Sequence, residues 1–138
     1  MNIRKLSIIL GLFLSLFAGA TAAQSNGPNG VHKVIHFDYD SFILNPEYES
    51  AVNAHAQFLI ANPNAKVSIE GHCEARGGNE YNLSLGQRRA KAVRVLLFKL
   101  NVPYHQTEVV SFGSTKPAAL GDDEAAFAKN RRVEFFYR

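Results

Sequence analysis

The 138-residue sequence predicts a two-layer α/β sandwich, with helices packed on one face of a four-stranded mixed sheet. Three observations lead there: apolar alternation over four short segments, two longer segments with helical periodicity between them, and a polar or Pro-containing break after each. The alternating segments are too far apart for hairpins, which points to helical crossovers.

In chain order, HKVIHF (32–37) reads as the first strand, with Val34 and His36 on one face and Ile35 and Phe37 on the other. Asp38–Ser41 is a polar loop. Asn45-Pro46 is a helix start, with Asn as N-cap, Pro in the first turn and Glu47 and Glu49 near the positive end of the dipole. Tyr48, Ala51, Val52, His55, Phe58 and Leu59 form that helix's apolar stripe, and Asn62-Pro63-Asn64 ends it. KVSIEG (66–71) alternates with Val67 and Ile69 inward. After the loop HCEARGGNEYN, LSLGQRRAKAVRVLLFKL (83–100) is the long helix, ended by Asn101-Val102-Pro103. TEVVSF (107–112) is the third strand. A short helix is expected around 122–128, and RVEFFY (132–137) is the fourth strand.

Not all of the chain belongs to this domain. Arg4 and Lys5, the 12-residue apolar run LSIILGLFLSLF and the small-residue stretch AGATAA have the layout of a secretory signal peptide. The run is shorter than the ~20 residues that span a bilayer. The expected division is a leader at 1–22, a Gly/Pro/Asn-rich linker at 23–30 and the folded domain at 31–138. The leader holds two cations and no acid, so its removal takes the net charge from +3 to +1, which does not suggest a nucleic-acid partner. Cys73 is the only cysteine. It excludes an internal disulfide, and it lies far from any first mature position where a lipid could be attached.

The long helix carries a charge inside its apolar stripe. With ~100° per residue, Leu85, Ala92, Val93, Leu96 and Leu100 fall within ~60° of Arg89, and Asn82 within ~20°. A buried guanidinium needs a partner, and its planar fork suits a carboxylate. Glu74 and Asp40 are the candidates within the chain; an external carboxylate is the third. On spacing alone, an internal Glu74–Arg89 ion pair and a ligand site built from the same groups both stay open. The loops at 38–41 and 72–77 follow strands of parallel type, where ligands of α/β sheets collect. His72 and Cys73 are adjacent on a strand and point to opposite faces, so they make no catalytic dyad. No set of ligands has zinc-site spacing. No catalytic residue, cofactor or metal is expected.

GHCEARGGNEYNLSLGQRRAKAV (71–93) resembles the signature of the OmpA-like peptidoglycan-binding domain, most closely its Pal (peptidoglycan-associated lipoprotein) branch. IHFDYDS, AHAQFL, VSIEGH and VVSFGSTKPAALGDDEAAFAKNRRVEF extend the likeness over nearly the whole domain. The resemblance implies a non-enzymatic module that binds the diaminopimelate residue of the peptidoglycan stem peptide. It implies that Arg89 clamps a diaminopimelate carboxylate, Glu74 engages the amino-acid head group, Asp40 helps line the pocket, and Asn82 and Leu83 begin the helix over the ligand. It also implies a second partner, the periplasmic β-propeller TolB, docking over the same face. Glu74 departs from the family's usual Asp by one methylene. Pal proteins are lipid-anchored in the outer membrane. Without a cysteine for that anchor, a periplasmic form associated with the cell wall or outer membrane is expected, either soluble or held by an uncleaved leader.

Overall fold

The computed structural model describes residues 26–138; the leader expected at 1–22 and the first residues of the expected linker lie outside the described residues. The elements are β1 (Val34–His36), a 3-10 turn (Pro46–Tyr48), α1 (Glu49–Ala61), β2 (Val67–His72), α2 (Asn79–Lys99), a second 3-10 turn (Tyr104–Gln106), β3 (Thr107–Gly113), α3 (Glu124–Asn130) and β4 (Arg132–Tyr137). The sheet order is β1-β4-β2-β3. β2 and β3 pair in parallel, and β4 runs antiparallel to both β1 and β2. The mixed α/β sandwich is as expected.

Asn45 caps as predicted, its side chain accepting from the Glu47 N–H at 3.1 Å, but it caps the 3-10 turn that feeds α1. The start of α2 differs more: it begins at Asn79 with Gly78 as N-cap, rather than at Asn82 or Leu83. The buried face of α2 is also rotated from the expected stripe. Asn82, Leu85, Gly86, Arg89, Ala90, Val93 and Leu97 are buried, whereas Ala92, Leu96 and Leu100 are half-buried. The reason is the approach of α2 to β2. A Cβ built on Gly71 would fall inside the Gly86 carbonyl and 3.0 Å from Gly86 Cα, so two facing glycines let helix and strand backbones touch. That contact turns Gly86 and Ala90 into the sheet and leaves Arg89 beside it.

The core between sheet and helices contains Ile35, Val67, Ile69, Val133 and Phe135 from the strands and Val52, Leu59, Val93 and Leu97 from the helices, each no more than 4% exposed. His55 is fully buried within it, stacked on Phe135 at 3.8 Å. Its Nε2 lies 2.8 Å from the His32 carbonyl. A carbonyl can only accept, so Nε2 carries the proton and Nδ1 accepts from the Tyr137 hydroxyl at 2.6 Å. Burial lowers the His55 pKa below 6.5, against an opposing effect of the His32 carbonyl.

Two outcomes follow. Gly71→Ala is expected to destabilise the domain by about 3 kcal/mol or more, because neither backbone can yield; a urea unfolding curve matching wild type would contradict the close approach. Second, the unfolded chain protonates its histidine near pH 6.5, before the folded chain does. The stability this contributes above that pH is therefore lost as pH falls toward the folded-state value. Urea midpoints should drop between pH 7 and pH 5, and drop less in His55→Gln; parallel pH profiles would exclude His55 as a contributor.

Candidate binding site

At the carboxyl ends of β1 and β2 a cleft of about 80 Å³ opens, lined by Tyr39, Asp40, Glu74, Arg76, Tyr81, Asn82, Arg89 and Arg131, among others. Arg89 is 1% exposed. Its Nε donates to the Ser41 carbonyl at 2.7 Å, Nη1 to the His72 carbonyl at 3.0 Å and Nη2 to the Asp38 carbonyl at 3.2 Å. Nη1 also reaches the Cys73 sulfur at 3.6 Å, and the guanidinium lies over the Phe37 ring. Four of the five N–H groups are thus engaged.

The internal Glu74–Arg89 ion pair, one of the two readings the sequence left open, does not form. Glu74 is instead taken by two other arginines. Arg131 Nη1 donates to Oε2 at 2.8 Å and Arg76 Nε to Oε1. Burial opposes ionisation of Glu74, but these two hydrogen bonds outweigh it and hold the carboxyl below its ordinary range. Arg131 is fixed in turn by the Phe37 carbonyl at 2.9 Å and by Glu124 at 2.9 Å. Arg76 lies across the Tyr39 and Phe127 rings, at 4.7 and 4.4 Å.

Among the described residues no carboxylate comes within 4.0 Å of Arg89, so its charge is solvated chiefly by backbone carbonyl dipoles, with the Cys73 sulfur and the Phe37 ring beside it. Burial draws its pKa down, yet a guanidinium stays protonated. Three guanidiniums and two carboxylates line the cleft, a balance that favours a guest carrying more negative than positive charge.

Asp40 sits on the loop with a left-handed backbone (φ 51°) and accepts from the Tyr81 hydroxyl. Asn82 is 2% exposed, and its amide ties down the 74–77 loop by donating to the Arg76 carbonyl at 3.1 Å. Its own carbonyl accepts from the Cys73 thiol at 3.1 Å. Leu83 lies outside the cleft lining and is 44% exposed. The cleft thus brings together Asp40, Glu74, Asn82 and Arg89 and not Leu83. Arg131, Arg76, Tyr39 and Tyr81 were missed. Arg131 meets Glu74 across 57 residues, a separation that local spacing does not reveal. His72 and Cys73 point to opposite sides of the sheet end, the thiol toward Asn82 and Arg89 and the ring onto Phe112, and burial raises the thiol pKa.

Removing the Arg89 side chain would take a donor from three carbonyls, and for that of His72, whose hydrogen bond is buried, the cost is about 1–3 kcal/mol, to which the lost packing of a side chain only 1% exposed adds. Arg89→Ala is therefore expected to lower thermal stability strongly and Arg89→Lys less; an Arg89→Ala protein as stable as wild type would remove the carbonyl cradle.

The sequence profile of the OmpA family matches residues 36–131. The chain is 43% identical over 122 residues to the peptidoglycan-associated lipoprotein of Legionella pneumophila, covering 88% of this chain and 69% of that one. It is 45% identical over 106 residues to that of Pasteurella multocida, covering 77% and 71%. The crystal structure of the peptidoglycan-associated lipoprotein from Burkholderia pseudomallei superposes with a TM-score of 0.77 at 44% identity, covering 78% of this chain and 91% of that one. The C-terminal domain of Helicobacter pylori MotB shares the fold at 23% identity, with a TM-score of 0.71 and coverage of 78% and 84%. By sequence and by fold, the chain belongs to the OmpA family, in its peptidoglycan-associated lipoprotein branch.

Proposed function

We propose that this protein binds peptidoglycan without chemical change, through the diaminopimelate of the stem peptide, and so ties cell-envelope components to the wall. The observation that carries this reading is the charge on Arg89: buried, without a contacting acid and at the floor of a cleft. Diaminopimelate is lysine with a carboxylate added beside its terminal ammonium. A carboxylate supplies the charge Arg89 lacks, and the remaining N–H of its Nη2 can donate to it. The ammonium has Asp40 and the rim of the Glu74 carboxylate as acceptors. Tyr39 and Tyr81, both more than half exposed, offer ring faces to the peptide. The names of the relatives, peptidoglycan-associated lipoproteins, agree with such a guest.

The extra methylene of Glu74 bears on this reading. Its carboxylate is pulled toward Arg131 and Arg76, which leaves Arg89 free for the guest. We place the protein at the periplasmic side of the cell envelope, with residues 31–138 as the binding domain, 23–30 as its tether and 1–22 as a secretory leader, and no lipid on Cys73, which is 2% exposed inside the domain.

A second reading rests on the side chains around the cleft. Tyr39, Phe42, Ile43 and Tyr81 stand 43–77% exposed on its flanking loop and helix, as an interaction surface would. A TolB-like periplasmic protein docking there would compete with the wall. Capture of such a protein, lost when stem peptide is added, would support shared use of the face.

A diaminopimelate-containing tripeptide is expected to raise the thermal midpoint of the full chain by mass action, whereas the lysine-containing counterpart, lacking only the carboxylate, should not. Equal shifts, or none at millimolar peptide, would exclude Arg89 as a carboxylate clamp. In sacculus co-sedimentation, Arg89→Lys, which keeps the charge and loses the fork, should reduce retention about tenfold or more.

A further inference from the structure

The sheet face turned away from α1 and α2 carries polar groups that the cleft does not use. On β2, Ser68, Glu70 and His72 point to this side; on β4, Arg132, Glu134 and Phe136 do. Glu70 lies directly opposite Glu134 in the β2–β4 ladder, and His72 opposite Arg132.

His72 is the anomaly. Its side chain is buried, the residue only 2% exposed, and neither ring nitrogen has a hydrogen-bond partner among the described residues. Buried polar groups are normally satisfied. The ring is held by stacking on Phe112 at 5.4 Å. Phe112 is the extra residue of a β-bulge, since Gly71 pairs with Ser111 and His72 with Gly113. A carboxylate oxygen from each of Glu70 and Glu134 and one imidazole nitrogen all lie within 4.8 Å of one another. Two carboxylates facing each other in a sheet repel.

We propose that Glu70, His72 and Glu134 form a binding site for a divalent transition-metal ion of the zinc type on this sheet face. Such an ion is held at ~2.0–2.2 Å by imidazole nitrogen and carboxylate oxygen, which puts tetrahedral ligand atoms ~3.4 Å apart. The carboxylates must close by roughly an ångström or somewhat more from their present spread. Both glutamates are half-buried, and rotation about their side-chain torsions supplies that travel, while the imidazole is stacked on Phe112. An imidazole among the donors favours zinc over calcium or magnesium, which take oxygen ligands. Three protein ligands leave a fourth position for water.

Arg132 faces the site as well and is compatible with it. It donates to Oε1 of Glu134 at 2.9 Å, leaving the second oxygen for the ion, and it is itself anchored on the Lys116 carbonyl at 3.0 Å. It would act as the outer hydrogen-bond partner that orients a ligating carboxylate. Lys116 sits over Phe112, 3.8 Å from the ring centroid. These two cations weaken the site without blocking it. A bound ion would pin β2 to β4 one residue before Cys73, at the residue whose carbonyl holds Arg89.

The full chain, stripped with chelator, is titrated with zinc chloride by calorimetry and by thermal unfolding. One saturable site per chain and a rise in midpoint are expected. Glu70→Gln/Glu134→Gln should weaken binding at least about tenfold and abolish the rise, whereas His36→Gln/His105→Gln should change neither. No saturable site, or an unaltered one in the glutamate double variant, would overturn the proposal. Should that variant fail to fold, NMR of wild-type imidazoles decides: the His72 ring signals must shift on zinc addition, and unmoved signals at saturation overturn the site.

Discussion

The arrangement depends on how one buried cation is solvated. Arg89 reaches from α2 into the gap at the carboxyl ends of β1 and β2 and gathers the carbonyls of Asp38, Ser41 and His72. Those carbonyls belong to two chain segments, the 38–41 loop and the end of β2, that Arg131 also bridges through the Phe37 carbonyl and Glu74. The guanidinium therefore fixes the shape of the 38–41 loop, the end of β2 and the floor of the cleft together. Because carbonyls supply partial charge only, the cation is stabilised yet not neutralised, and the cleft keeps a positive floor.

That floor persists because the nearest acid is occupied elsewhere. Arg131, at the entry to β4, and Arg76, on the loop after β2, share the Glu74 carboxylate. Glu124 at the start of α3 links the same two arginines from the other side. The acid is thereby kept ionised and directed away from Arg89. The two glycines matter at the next level: only with α2 pressed onto β2 at Gly71 and Gly86 can the Arg89 side chain reach carbonyls at the strand ends. Backbone contact in the core and charge placement in the cleft are thus parts of one arrangement.

His72 joins the two faces of the sheet. Its carbonyl serves the cleft, and its ring serves the opposite face, because alternation along a strand separates the side chain of one residue from that of the next. The bulge beside it brings Phe112 over the ring and withdraws it from solvent. This residue is polar, buried and bonded through its backbone to the cleft while its ring turns to another cluster.

What could be read from the sequence was local. Alternation over 66–71 and 132–137, the Asn45-Pro46 start, the helical stripe around Arg89 and the ordered motif from Gly71 to Val93 determined the α/β class, the family and the inward cation, because each depends on neighbours within one or two turns of chain. The register of α2 could not be read so well, since its rotation follows from a glycine pair on two different elements. Nor could the partners of Arg89 and Glu74. A guanidinium and a carboxylate on adjoining segments suggest each other, but backbone carbonyls leave no mark on a sequence, and Arg131 comes to Glu74 only through the β1-β4-β2 strand order. Strand order likewise placed Glu134 across from Glu70. Tertiary structure decided these pairings because charges and carbonyls act on whatever the fold brings within a few ångströms, whatever their distance along the chain.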